Sequence, residues 1–398
     1  MSRRMIRNSV MALGWFGLWV ARLEAHVQAQ PMLAINDVTV TETNAGTTVA
    51  TFTVSFVDST PHGFALVNYT TAGGTAATAN QCAPGADFIG VTGIAGISFS
   101  ATEYSKQINV TVCGDIKDEP DQTFFVNLTA RGAVGIQDAQ GQGTIVDDDP
   151  TPTIRITDVT VTEGAAGALT NATLSVTLAG PTENTATVSL ATTNGSATGG
   201  SCGSPGADYQ TTSSTLTLAS PTNLPAQTLT QLVVLRVCGD DVSEGEQQFE
   251  VRLSNATNAT IQDAVGLITI TDDEPLPTLG ITAAVQVNEP NTLVPQVDAV
   301  FTVALRGPPT EEPVTVQYAT VPGTATGATT CALTAGARPG DYVTQTGVLM
   351  FKGEVAQQIV VPICADSVPT EVNETFTVTL TRAANAAIAN AVGTATIR

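Results

Sequence analysis

Acidic side chains recur at matched positions along this sequence, and they are the residues best suited to chemistry. The pattern is clearest from Cys238 to Leu253, which reads Cys-Gly-Asp-Asp-Val-Ser-Glu-Gly-Glu-Gln-Gln-Phe-Glu-Val-Arg-Leu. Versions of it begin at Cys113 and Cys364, each with a small residue, an aspartate, and a glutamate five residues before a phenylalanine. Carboxylates without histidine or thiolate neighbours favour Ca²⁺, which accepts about six to eight oxygen ligands in flexible geometry. Mg²⁺ is disfavoured because it requires a strict octahedron.

Further acids lie at the ends of predicted strands, and we expect them to share one site in each repeat, because sandwich loops gather at two ends. So many carboxylates would raise one another's pKa values unless a cation neutralised them. The alternative is that they are solvated loop charges that keep a β-rich protein soluble. The expected ligands of the first repeat are Glu42, Asp87, Asp115, Glu119, Asp147, Asp148 and Asp149. Those of the second are Glu163, Asp208, Asp240, Asp241, Glu244, Asp272, Asp273 and Glu274.

The third repeat supplies a smaller set of acids and has no closing acidic triplet, so we expect its site to be weaker or absent. Its candidate ligands are Glu289, Asp341, Asp366, Glu371 and Glu374.

The elements that must position these acids are strands. Aromatic residues make up 5% of the 398-residue chain and charged residues 13%, whereas Gly, Thr, Val and Ala are abundant, which is typical of strands and turns. Stretches such as Val38–Glu42 and Thr51–Phe56 alternate apolar and polar residues, which indicates half-buried strands. We expect about seven strands per repeat in two packed antiparallel sheets, an all-β fold.

The repeat is the size of a whole β-sandwich domain, because Cys113, Cys238 and Cys364 recur about every 125 residues. Acidic and proline-containing joints divide the chain into predicted domains at 30–149, 150–274 and 275–398. The net charge of −21 makes nucleic acid and anionic membrane surfaces poor partners, and cations good ones.

Residues 1–29 are predicted to be a secretory signal rather than part of the fold. Arg3, Arg4 and Arg7 precede the apolar run Val10–Ala21, and Val27–Ala29 offers a cleavage site. An uncleaved anchor is the alternative, although the run is short for a membrane span. No later segment is apolar enough to cross a bilayer, so we expect a secreted, extracellular or cell-surface protein.

The cysteines occur in pairs, two in each repeat. An even, periodic count in an exported protein predicts disulfides, most simply within each repeat. Each bridge would close a loop of about 30 residues and contribute roughly 3–4 kcal/mol. A thiolate metal site is disfavoured because no Cys-x-x-Cys occurs. The predicted pairs are Cys82 with Cys113, Cys202 with Cys238, and Cys331 with Cys364.

Four motifs of the repeat resemble those of the Calx-beta domain, which occurs in sodium–calcium exchangers, integrin β4 and bacterial surface proteins. They are the opening Val-x-Val-x-Glu, the Gly-x-Asp-Tyr turn, the Asp-x-x-x-Glu-x-x-x-x-Phe stretch and the closing Asp-Asp-Asp. The resemblance covers nearly all of residues 31–398 as three tandem copies. It implies immunoglobulin-like β-sandwiches whose far-end loops bind calcium through the acids named above. The family often has a second glutamate two residues before the phenylalanine. Gln122 and Gln247 take its place in the first two repeats, whereas the third repeat has Glu374 there. The third repeat also has one extra residue between Asp366 and Glu371.

A catalytic function finds little support in the sequence. His62, the only histidine outside the signal, is expected to be an exposed loop residue, and no nucleophile elbow, phosphate loop or metalloprotease motif occurs. Paired carboxylates could serve a glycosidase, but acids clustered at domain joints suit a cation better. The leading hypothesis is a secreted calcium-binding repeat protein, not an enzyme, with Ca²⁺ at the Asp147–Asp149 and Asp272–Glu274 joints stiffening a rod for adhesion or cell communication.

Two alternatives remain. One is a cation-independent structural or interaction protein, and the other is a carbohydrate-binding module, which the scarcity of aromatic residues disfavours. Besides calcium ions, surface proteins or glycans are the expected partners.

Overall fold

The computed structural model describes residues 30–58, 61–91, 93–132, 134–219, 228–290, 296–331, 340–365 and 372–398. The predicted signal and two predicted ligands, Asp366 and Glu371, lie outside these residues. The chain forms two compact units. The first consists of the residues up to Ile116 together with Pro120–Asp148, and the second consists of Lys117–Glu119 together with Asp149–Arg398. All regular structure in the described residues is β-strand. None of them forms a helix with the length and hydropathy that a bilayer span requires.

The first unit contains eleven strands within its described residues. They form two sheets, in the orders β10-β1-β3-β8-β6-β5 and β2-β11-β9-β4-β7. The strands are β1 (Met32–Ile35), β2 (Val38–Thr41), β3 (Gly46–Phe56), β4 (Ala65–Gly73), β5 (Thr78–Ala79), β6 (Phe88–Ile89), β7 (Ala95–Phe99), β8 (Ser105–Gly114), β9 (Gln122–Arg131), β10 (Gly135–Ile136) and β11 (Gln140–Val146).

The second unit contains two further repeats with the same strand order, each built of two sheets. The strands of the second repeat are β12 (Thr153–Ile156), β13 (Val159–Thr162), β14 (Leu169–Ala179), β15 (Ala186–Asn194), β16 (Gly199–Gly200), β17 (Tyr209–Gln210), β18 (Ser213–Leu218), β19 (Thr228–Cys238), β20 (Gln247–Thr257), β21 (Thr260–Ile261) and β22 (Val265–Thr271). Those of the third are β23 (Thr278–Ile281), β24 (Ala284–Val287), β25 (Gln296–Arg306), β26 (Val314–Pro322), β27 (Gly327–Ala328), β28 (Tyr342–Val343), β29 (Thr346–Phe351), β30 (Ala356–Cys364), β31 (Glu374–Ala384), β32 (Ala387–Asn390) and β33 (Val392–Ile397).

Side-chain alternation explains how the two sheets of each repeat enclose a core. In β20, Phe249, Val251 and Leu253 are buried, whereas the residues between them are more exposed. Buried side chains of the same period from both sheets meet in one apolar cluster per repeat. The predicted all-β class with three tandem β-sandwiches is therefore confirmed.

The opening segment of the second repeat forms two short strands that belong to different sheets. It breaks between β12 and β13: β12 pairs antiparallel with β14, and β13 pairs parallel with β22. Short segments such as β16, β17 and β21 add to the predicted seven strands. The parallel pairing matters for function, because it places the end of β13 beside the end of β22.

His62 is not the exposed loop residue that the sequence predicts. It is 7% exposed, and its ring stacks on Phe56 at a centroid distance of 3.8 Å and meets the edge of Tyr104 at 4.9 Å. An imidazole has flat apolar faces, so it can complete an aromatic cluster while its Nδ1 lies 2.9 Å from the Gly63 carbonyl oxygen. This places His62 in a packing role.

Three disulfides form within the described residues, each inside one repeat as predicted. Cys82 bonds to Cys113, Cys202 to Cys238, and Cys331 to Cys364. Each links the loop before the short sixth strand of its repeat to the end of the eighth, next to the predicted ligands.

Candidate metal centre

Strand register brings the acidic loops of the second repeat to one tip of the sandwich. Thr162, at the end of β13, pairs with Thr271 at the end of β22, and Gln247, at the start of β20, pairs with Ile270. The segments that adjoin these positions carry Glu163, the loop before β20 and the closing acids. They therefore meet at the same tip, although Glu163 and Asp272 are 109 residues apart in sequence.

Asp208 reaches this tip because the aromatic residue after it is anchored in the core. Tyr209 stacks face to face on Phe249 at a centroid distance of 3.7 Å. The Asp208 carboxylate accepts a hydrogen bond from the Thr198 amide at 2.6 Å, and its carbonyl accepts one from the Cys238 amide at 2.8 Å. The Gly-x-Asp-Tyr turn and the Glu-x-x-x-x-Phe stretch thus meet through one ring pair, which explains why both recur together.

The small residue after the cysteine allows two loops to approach closely. A Cβ atom at Gly239 would lie 1.8 Å from the Gly164 carbonyl oxygen, so a larger residue would displace that loop. The Gly239 amide donates to the Ala168 carbonyl at 3.0 Å, and the Ala166 amide donates to an Asp241 carboxylate oxygen at 3.3 Å. This contact holds the segment that begins with Glu163 against the acidic loop.

Three carboxylates form the centre of the cluster. Glu163, Asp272 and Glu274 each place an oxygen within 4.8 Å of the other two. The Glu163 side chain is 2% exposed, and its Oε1, like Oε2 of Glu274, is a buried atom without a hydrogen-bond partner. Asp272 is held by the Glu244 amide, which donates to its Oδ1 at 3.1 Å. Buried oxygens without partners are costly and call for a compensating group.

Burial and mutual repulsion disfavour ionisation of these acids. Burial, followed by the charges of Asp240, Glu244, Asp272 and Glu274, raises the pKa of Glu163 to about 8.

The same causes act on the neighbouring acids. Burial, and then the charges of Asp208 and Asp240, raises the pKa of Glu244 to about 7. Burial also raises the pKa values of Asp208 and Glu274. Among the described residues, no lysine, arginine or histidine forms an ion pair with these second-repeat acids.

The chemistry of the clustered donor atoms suits calcium. It consists of oxygen atoms alone, several of them buried without partners, and this is the coordination that Ca²⁺ prefers. Glu163, Asp240, Glu244, Asp272 and Glu274 are the residues that would hold the ion. A bound divalent cation would supply the positive charge that lets these carboxylates ionise together.

Asp241 and Asp273 stand at the edge of the cluster. Both are less buried than Glu163, and each accepts a backbone hydrogen bond, Asp273 from the Gly164 amide at 2.9 Å. In this structure they secure the loop that carries Glu163.

Two polar side chains at the tip were not predicted as ligands. Ser243 and Gln247 are buried, and the Oγ of one and the Oε1 of the other lack partners. The Gln247 amide nitrogen donates to Glu244, which fixes the orientation of that carboxylate. For Gln247 the sequence did carry a signal: it stands where the family often has a glutamate, and a glutamine still offers a hard oxygen that could bind a cation.

The ligand loop of the second repeat also touches the third repeat. The Ser243 amide donates to the Pro309 carbonyl at 2.8 Å, and Ser243 forms a short parallel bridge with Thr310. The candidate centre therefore adjoins a joint between two repeats of the second unit.

In the first unit, the corresponding acids lie at a similar tip. Glu42 is buried and places an oxygen within 4.8 Å of one from Asp148. Asp87, also buried, accepts a backbone hydrogen bond at 2.5 Å, as Asp208 does. Asp115 follows β8, and Asp147 follows β11.

Two predicted ligands of the first repeat belong to the second compact unit. Glu119 lies 3.7 Å from the Lys117 ammonium, and Asp149 is buried. Lys117 takes the place of Val242 in the next repeat, so the two loops differ in charge.

The third repeat brings its three described acids to one end. The Glu289 amide donates to the Arg398 carbonyl at 2.8 Å, and Glu374 pairs with Ile397 in the sheet. The Asp341 carboxylate accepts hydrogen bonds from the backbone and hydroxyl of one threonine, at 2.6 and 3.0 Å.

The β-sandwich with an oxygen-only acidic tip defines a class of cation-binding modules, and comparison with known proteins identifies the family. The Calx-beta domain family matches residues 28–149, 147–274 and 282–398, so the chain belongs to the Calx-beta family. Calx-beta domains are calcium-binding domains, regulatory or binding modules rather than catalysts. No curated protein matches the chain by sequence.

Several solved structures are similar to parts of the chain. The CBD12 structure from CALX1.2 is 17% identical, covers 60% of this chain and 99% of its own, and has a TM-score of 0.26. The calcium-binding domain CBD12 of CALX1.1 has the same values. The apo-form Calx CBD1 domain is 22% identical, with 31% and 100% coverage and a TM-score of 0.26.

Proposed function

We propose that the chain is a secreted or cell-surface calcium-binding repeat protein whose ions stiffen the joints between repeats for adhesion or cell communication. The observation that carries the proposal is the buried Glu163, clustered with Asp272 and Glu274 and left without a compensating cationic side chain in the described residues. Such a cluster is unfavourable alone and favourable around a divalent ion.

The stiffening follows from where the cluster lies. Asp272 and Glu274 belong to the segment that leads through Pro275 and Pro277 into the third repeat. The Ser243 contact with the third repeat comes from the same ligand loop. An ion that orders this loop would therefore also order the joint, and we extend the idea to the Asp147–Asp149 joint by its matching sequence.

The proposed domains are residues 30–149, 150–274 and 275–398, and the proposed ligands are the acids predicted for each, with the third site the weakest. For the second repeat we add Ser243 and Gln247 as neutral oxygen donors.

The proposed address is extracellular. Three disulfides suit an oxidising compartment. Residues 1–29 would be removed on export, so the N-terminus of the exported chain should be Gln30. Mass spectrometry of the protein recovered from culture medium or from the cell surface tests this, and a retained N-terminus would indicate an anchor.

Calorimetric titration of the whole chain with calcium tests the function. Extracellular calcium modules bind at roughly 10⁻⁴–10⁻³ M, so we expect saturable heat in that range and a higher melting temperature with calcium than with chelator. The variant Glu163→Gln should remove one set of ions, whereas Glu250→Gln, on the outer face of β20, should remove none. Binding of no calcium by the wild-type chain would leave the acids as solubilising charges in a cation-independent structural protein.

Small-angle scattering with and without calcium tests the mechanical part separately. A stiffened joint predicts a larger maximum dimension or a narrower distance distribution with calcium. Unchanged profiles under saturating calcium would remove the stiffening while leaving calcium binding intact.

A further inference from the structure

A turn of the third repeat is held against the ligand loop of the second. Ser243 is 4% exposed, and its amide donates to the Pro309 carbonyl at 2.8 Å. It forms a parallel bridge with Thr310, whose hydroxyl donates to the Glu312 carbonyl at 2.8 Å and so closes the turn. The contact is a backbone pairing with a defined register.

That register places one acid of the third repeat beside a proposed ligand. In a parallel bridge the two chains run in the same direction, so the residue that follows one member of the pair leaves the bridge on the same side as the residue that follows the other. After Ser243 comes Glu244, and after Thr310 comes Glu311. The negative charge of Glu311 is also among the causes that raise the pKa of Glu244, after burial and the charges of Asp208 and Asp240.

The same pairing occurs a second time in the second unit. The Asp118 amide donates to the Pro181 carbonyl at 3.3 Å, and the Glu183 amide donates back to the Asp118 carbonyl at 3.3 Å. Asp118 bridges Thr182 in parallel, which sets Glu183 beside Glu119 in the register that sets Glu311 beside Glu244. The two turns read Gly-Pro-Thr-Glu and Gly-Pro-Pro-Thr-Glu. Recurrence of the glutamate in this register favours a role for its charge.

A glutamate brought to an acidic cluster is repelled unless a cation lies between them. Glu163 supplies the independent sign of a ligand, because its side chain is only 2% exposed and its Oε1 has no partner. Glu311 itself is exposed, so its side chain can turn toward the cluster at little cost.

We propose that Glu311 of the third repeat is a ligand of the ion bound by the second repeat, so that the site is completed across the joint. This inference rests on the proposed function. Ion binding and docking of the third repeat are then coupled, and each strengthens the other by the same factor.

The test compares Glu311→Gln with Glu312→Gln in the whole chain. Both remove one negative charge from the same turn, but only Glu311 has the register of a ligand. We expect Glu311→Gln to weaken calcium binding at one class of sites about tenfold, because affinity follows the number of charged ligands. Glu312→Gln should change it by less than about twofold. Competition against a chromophoric chelator measures both.

Salt separates a ligand from a distant charge. At roughly 0.5 M salt the screening length falls below about 5 Å, so a purely through-space effect fades while a direct ligand remains. We therefore expect the difference between Glu311→Gln and wild type to persist at high salt. A difference that vanishes there, or equal effects of the two variants, overturns the assignment.

Hydrogen exchange supplies a second readout that does not depend on affinity. Calcium should slow amide exchange in residues 310–312 of the wild-type chain, and Glu163→Gln should abolish that slowing. If Glu163→Gln leaves calcium stoichiometry unchanged, the proposed function fails at this repeat. If Glu163→Gln removes an ion while Glu311→Gln changes neither affinity nor exchange, only the inference about Glu311 fails.

Discussion

Calcium binding at the second repeat should release protons, and the number should fall steeply with pH. The cause is the crowding of buried carboxylates: pKa values of about 8 for Glu163 and about 7 for Glu244 keep both protonated near pH 6 without a cation. An ion binds the ionised form, so each bound proton must leave. The perturbation is therefore a calcium titration repeated at several pH values.

The expected size follows from the two pKa values. At pH 6 both groups lie below their raised pKa values, so binding should release between one and two protons, shared between the coupled pair. At pH 8.5 both lie above those values, so binding should release less than one proton. Apparent calcium affinity should accordingly rise with pH across this interval and level off above it.

Calorimetry in two buffers of different ionisation enthalpy, at the same pH, measures the released protons. The wild-type value minus the value for Glu163→Gln isolates the second repeat from the other sites. A difference near zero at pH 6 would mean that the carboxylates are ionised without a cation. The argument from burial and repulsion would then be wrong, whatever the affinity.

Three other perturbations test the same physical picture. In chelator, the free energy of unfolding should fall as pH rises from 4.5 to about 8, because folded Glu163 keeps a proton that the unfolded chain loses at the ordinary glutamate pKa of 4.5. Glu163 alone contributes at most about 5 kcal/mol, and Glu244 acts in the same direction; urea denaturation at several pH values measures the sum. Stability that rises over that range would contradict a buried, protonated Glu163. Replacing Cys202 and Cys238 together by alanine opens a loop with a sequence separation of 36 and should lower the free energy of unfolding by roughly 3–4 kcal/mol in the same assay. A decrease of less than about 1 kcal/mol would mean that the disulfide does not constrain the loop. Lys117→Ala, in the Glu163→Gln background, should tighten the remaining calcium binding by a few fold because it removes the cation paired with Glu119, and unchanged affinity would show that the pair does not compete.

Sequence reasoning predicted the fold because the patterns that fix it are local. Alternation in segments such as Phe249–Leu253 marks which side chains enter the core, and each cysteine pair recurs with the repeat. The acids of the second repeat could be proposed as one site for a related reason. Each adjoins a strand end, and in a sandwich the strand ends meet at two tips.

The features that sequence could not supply depend on contacts between distant segments. No local pattern says that the opening strand divides between two sheets, because both halves alternate in the same way. His62 looked like a loop residue, and its burial depends on the faces of Phe56 and Tyr104. Glu311 lies in an ordinary polar turn, and only the Ser243 pairing gives it a place beside the acids.

The neutral side chain at position 247 makes physical sense in a site that must tolerate the absence of calcium. A glutamate there would add another negative charge beside Glu244, whose pKa is already raised by burial and by its neighbours, and would destabilise the metal-free fold. Gln247 instead donates its amide hydrogen to Glu244 and keeps an oxygen at the tip. It lowers repulsion in the metal-free fold, and under the proposed function the cost is one charged ligand fewer for the ion.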